Sequence, residues 1–93
     1  MTAGSLNDLA DRLNDPELGR TVLPDGTSVI LDISGHQVLS LSKTGTFVAE
    51  EIRNGATSID ELAGRLAARY EVDATTARSD SERFVEDLSK ALL

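Results

Sequence analysis

The residues able to do chemistry are few in this chain. Cys is absent and His occurs once, at His36, so thiolate and His-cluster metal sites are excluded. No stretch follows the nucleophile-elbow, P-loop or dinucleotide-binding glycine patterns. His36 stands in the turn sequence Ser34-Gly35-His36. A general base or a pH switch there needs a carboxylate at a fixed spacing, and none is offered, so a polar turn residue is the expected role. Glu50-Glu51 and Glu86-Asp87 are adjacent acids, but neighbours on a helix point about 100° apart and do not converge on one cation. A solvated acidic face accounts for them. The Asp25-Gly26 and Ser34-Gly35 steps read as hairpin turns rather than ligand loops. The expectation is a protein that is not an enzyme, with no cofactor and no metal.

Length and charge narrow the alternatives. A chain of 93 residues with 40% hydrophobic and 27% charged residues forms one domain with a modest core, burying about two thirds of its unfolded surface. That leaves little volume for a deep substrate cavity. Lys and Arg number 9 against 16 acids, for a formal charge of −7. Without a basic stripe, nucleic acid is a poor partner. No apolar stretch approaches the roughly 20 residues of a membrane span, and the N-terminus carries acids where a secretory signal would carry bases. A cytoplasmic protein with no membrane partner is expected.

The elements that must position any site follow from local pattern. Residues 1–19 are acidic, with Leu6, Leu9, Ala10 and Leu13 at helical spacing before Asp15-Pro16, and read either as a short amphipathic helix or as a disordered tail. Residues 20–93 form the main domain. Thr21-Val22-Leu23 and Ser28 to Ile33 flank Pro24-Asp25-Gly26, and Gln37 to Leu41 follows the second turn, giving a three-stranded antiparallel meander. Alternation sets Val29, Leu31 and Ile33 on one face of the middle strand and Leu39 with Leu41 on one face of the third, as core faces. Ser42 caps a helix to about Asn54, with Gly55 in the left-handed position after it. Ser58 and Glu61 make a capping box for a helix to Tyr70. Asp73 caps a last helix with Ala77, Ser81, Phe84, Val85, Leu88 and Leu92 on one face. The fold class is α+β, a small sheet followed by three helices.

What remains for function is a surface. Gln37-Val38-Leu39-Ser40-Leu41 is short, uncharged and free of Pro. If it lies at a sheet edge it invites an added strand, from a peptide or from another copy of the chain; the other possibility is that the last helix or the N-terminal segment covers it.

The order of motifs from Val29 to Leu93 resembles the PqqD-like family, the RiPP recognition elements that bind leader peptides of ribosomally made, modified peptides. The resemblance is carried by Val38-Leu39-Ser40-Leu41, Thr44-Gly45, Ile52, Asn54-Gly55, Ile59-Asp60-Glu61-Leu62, Leu66, Tyr70-Glu71-Val72-Asp73, Asp80, Phe84, Leu88 and Leu92-Leu93. In length and in the Gly55 to Asp73 stretch it is nearest to standalone members acting in lasso-peptide biosynthesis. It implies a winged-helix-like, non-catalytic domain in which a leader pairs beside the third strand and lies against the last helix. A maturation enzyme such as a leader protease or cyclase is the implied second partner. Carried onto this sequence, the peptide site is Gln37, Val38, Leu39, Ser40 and Leu41 with Ala77, Asp80, Ser81, Phe84 and Leu88. Arg78 and Arg83 stand as pairing groups for leader carboxylates or simply as solubilising charges. Ser81 departs from the branched apolar residue common after that Asp, and Ser42 from the usual Asn. Residues before Gly19 have no counterpart; as a lid over the empty groove, deleting Met1 to Asp15 would tighten leader binding. The competing readings are a winged-helix transcription regulator, disfavoured by the mixed charges of the last helix, and a structural subunit docked on a larger enzyme.

Overall fold

A computed structural model describes residues 2–93. In chain order it contains α1 (Thr2–Leu13), β1 (Leu18–Val22), β2 (Ser28–Asp32), β3 (Gln37–Leu41), α2 (Lys43–Arg53), α3 (Ile59–Tyr70) and α4 (Ala74–Leu92). The three strands form one antiparallel sheet in the order β1-β2-β3. The architecture is α+β, with the three later helices where the capping residues place them. No helix among the described residues is long and apolar enough to cross a membrane.

Each helix starts and stops for a local reason. The Ser42 Oγ accepts the Gly45 N–H at 3.1 Å, the Ser58 Oγ accepts the Glu61 N–H at 3.1 Å, and the Asp73 carboxylate accepts the Thr76 N–H at 2.7 Å. Each supplies an acceptor for an otherwise unpaired first-turn donor. The α3 box differs from expectation in its return bond, because the Glu61 carboxylate takes the N–H of Thr57 at 2.8 Å rather than that of Ser58. α2 ends as its glycine requires. With Gly55 at φ +104°, its N–H reaches the Ile52 carbonyl and the Ala56 N–H reaches that of Glu51, the paired bonds of a Schellman turn.

The core lies between the inner sheet face and the helices. α1 is part of it: Leu6, Leu9 and Leu13 are buried, and the helix packs on α2 and α4. The three leucines are spent on the core rather than held over β3, which corrects the lid expectation.

The sheet corrects two further expectations. β1 begins at Leu18, three residues before the β-branched run, because pairing with β2 (Leu18↔Asp32 through Val22↔Ser28) extends it over Gly19 and Arg20. The faces of β2 are also reversed. Ser28, Ile30 and Asp32 point inward and are buried, while Leu31 is 46% and Ile33 60% exposed. Two inward polar residues are tolerated because each has partners. The Ser28 and Thr46 hydroxyls bond at 2.7 Å, and the Asp32 carboxylate takes three donors. On β3 the expected face is observed, with Leu39 and Leu41 half-buried against the core.

Candidate functional site

The outer margin of β3 is where the sheet is incomplete. Its inner side pairs with β2 from Asp32↔Gln37 to Ser28↔Leu41. Among the described residues no strand lies on its other side, so alternate backbone N–H and C=O groups of this edge are available to a further strand. Val38 is 61% exposed on the outer face and pairs with Leu31 across the ladder.

α4 forms the opposite wall, and two contacts fix its course. At one end the Gln37 Nε2 donates to the Ala91 carbonyl at 2.6 Å. At the other, the Phe84 ring edge lies over Gly45 in the α2 turn that follows Leu41; a β-carbon at Gly45 would stand 2.9 Å from it. β3 and α4 therefore run in opposite directions. Seven helical residues cover about 10 Å and five strand residues about 16 Å, so the two elements flank a groove about that long, lined by the half-buried Leu39, Leu41, Phe84 and Ala91.

The α4 residues expected at the site divide into two groups. Phe84 is half-buried on the Ala91 side of the helix and faces the groove, whereas the half-buried Asp80 lies one turn beyond it, past the Leu41 end of β3. Ala77 and Ser81 are fully buried and Leu88 is 3% exposed, so they anchor α4 to the core. Asp87, exposed and three residues from Phe84, joins the rim instead. The i,i+7 spacing of Phe84 and Ala91, with Asp87 between, is the sequence signal for that side of the helix.

The arginines are internally engaged. Arg83 pairs with Asp80 at 2.9 Å. Arg78 pairs with Asp60 of α3 and with Glu82, which places it on the side of α4 away from β3. The acidic neighbours also diverge as their helical spacing requires, since Glu50 meets Arg20 and Arg53 while Glu51 meets Arg65. His36 is exposed in its turn at φ +54°.

A family model described as coenzyme PQQ synthesis protein D (PqqD) matches residues 27–93. The chain belongs to the PqqD family. No curated protein and no solved structure matches it. The matched residues contain β2, β3 and all three later helices, hence both walls of the groove, while α1 and β1 lie outside them. Membership of the PqqD family gives the chain a non-catalytic binding role as an accessory recognition protein beside a modifying enzyme.

The carboxylates around this framework set its response to acid. Donation from Gln37, then from the Gly35 N–H and Arg12, holds the Asp32 carboxyl below the usual carboxylate range. The Thr76 N–H does the same for Asp73, the Thr57 N–H for Glu61, and the Thr27 hydroxyl for Asp25. Each folded carboxyl binds its proton less readily than its unfolded counterpart. The stabilisation is thus complete above the unfolded values near about pH 4 and lost as pH falls through the folded ones. Melting temperature should be level between about pH 7 and 5 and fall below about pH 4. Asp32→Asn should make that fall shallower, and an equal slope in the variant would remove Asp32 from the account.

Proposed function

We propose that this protein captures the leader of a ribosomal precursor peptide as an additional strand beside β3, holds it against α4, and presents it to a maturation enzyme such as a leader protease or cyclase. The observation that supports this most is the unpaired outer edge of Gln37 to Leu41, lying beside the Phe84 to Ala91 stretch of α4. Main-chain bonds along that edge supply affinity without demanding a sequence, and alternate leader side chains facing Leu39, Leu41 and Phe84 supply selectivity. A lasso-peptide precursor is the class to test first, given the resemblance to standalone members of that kind.

The test is titration of a fluorescently labelled leader peptide, synthesised from a short precursor reading frame neighbouring the gene. Ordering a flexible segment reduces the net gain, and a Kd at or below about 1 μM is expected. Binding should slow amide exchange specifically along Gln37 to Leu41. No binding at about 50 μM would reject the proposal. A docking subunit would instead bind its enzyme equally well with and without the leader. A regulator would shift duplex DNA in a salt-dependent way, against the internal pairing of Arg78 and Arg83.

A further inference from the structure

One end of the groove is closed by a polar network that draws on four elements. Asp32, 3% exposed on β2, receives the Arg12 Nη2 of α1 at 2.8 Å, the Gly35 N–H at 3.0 Å and the Gln37 Nε2 of β3 at 3.0 Å. The same Gln37 nitrogen donates to the Ala91 carbonyl at 2.6 Å, and the Arg12 Nε donates to the Leu92 carbonyl at 3.2 Å. The third Arg12 nitrogen, Nη1, holds Asp15 at 3.3 Å. The last carbonyls of a helix have no partner within it. Here two of them are met by side chains from β3 and α1, both already oriented by one buried carboxylate.

We propose that Arg12 is a positioning residue for peptide binding: through Asp32 and Gln37 it sets the separation between the β3 edge and the end of α4, and with it the width of the groove. Arg12 bears on a peptide only because β3 and α4 form the peptide groove, so the proposal rests on that reading. Three features support it. The Gln37 to Ala91 bond is a direct link between the two walls. Arg12 and Asp32 are largely shielded, with side chains 19% and 4% exposed, so their charge-assisted bonds are stronger and more directional than a surface pair. Arg12 also lies outside residues 27–93, so this groove is braced by a segment that the family pattern does not include. A guanidinium suits the task because it can meet Asp32, Asp15 and the Leu92 carbonyl at once from one rigid plane, whereas a lysine ammonium cannot span them.

The experiment compares Arg12→Lys and Gln37→Met with the unaltered protein. The chain contains no Cys, so spin labels at Ser40→Cys on β3 and Glu86→Cys on α4 report the distance between the walls without a ligand. Both positions are exposed. The unaltered brace should give a narrow distribution and either variant a broader one, with affinity for the labelled leader lowered on the order of tenfold. Ser58→Ala serves as a control, because it weakens the α3 cap without touching the brace. It should lower the melting temperature but leave distances and affinity unchanged. An unaltered distance distribution in the two variants overturns the proposal, as does a broadened one with full leader affinity. If the unaltered protein binds no leader, the peptide reading fails separately, and the distances alone decide the brace.

Discussion

Replacing Leu9 by alanine should destabilise the domain by about 3 kcal/mol, as expected for a leucine removed from a well-packed interior. Leu9 is fully buried, and Leu6 and Leu13 beside it are 2% and 4% exposed. A domain of this size has only about 5–10 kcal/mol in total, so one methyl-rich side chain in α1 carries a large fraction of the margin. Denaturant titration should show the midpoint falling with an unchanged slope, since the surface exposed on unfolding is nearly the same. Deleting residues 1–15 removes all three leucines, and Arg12 with them. At about 2–5 kcal/mol for each leucine, the remainder should not fold, and leader binding should be lost rather than tightened. A truncated protein that melts cooperatively and binds leader more strongly would restore the lid in place of a core helix.

How far the sequence revealed these features depends on the range of the forces involved. The starts at Ser42, Ser58 and Asp73 and the stop at Gly55 are legible because their cap bonds join residues only three to five apart. β3 was legible as well, since its boundaries are turn sequences and its apolar residues alternate. β1 was not: Gly19 and Arg20 are poor strand formers, and only pairing with Leu31 and Ile30 makes them one. At the groove, the apolar stripe of α4 showed that the helix packs but not which flank remains open. Ala77, Ser81 and Leu88 therefore read as wall when they are anchor. Arg12 had no local signal at all, because its partners Asp32 and the Leu92 carbonyl are 20 and 80 residues away.

The reversed face of β2 gives the second large effect. Alternation in the sequence favours Val29, Leu31 and Ile33 as the core set, and a strand displaced by one residue exchanges its faces completely. In the observed register Ile30→Ala should cost about 3 kcal/mol, while Leu31→Ala, at a site 46% exposed, should cost well under half as much. The opposite ranking would mean that the sheet is registered as its apolar residues alone suggest. The consequence reaches the groove, because Ile30 pairs with Leu39 and Asp32 with Gln37. In the observed register the inward side of β2 supports the floor of the groove at Leu39 and supplies the carboxylate that orients Gln37 toward α4. With the faces exchanged, Asp32 would point outward, Arg12 would lose its principal partner, and the β3 margin would have no link to the last turn of α4. The two substitutions thus test the sheet register by stability, and with it the placement of the groove that the peptide proposal requires.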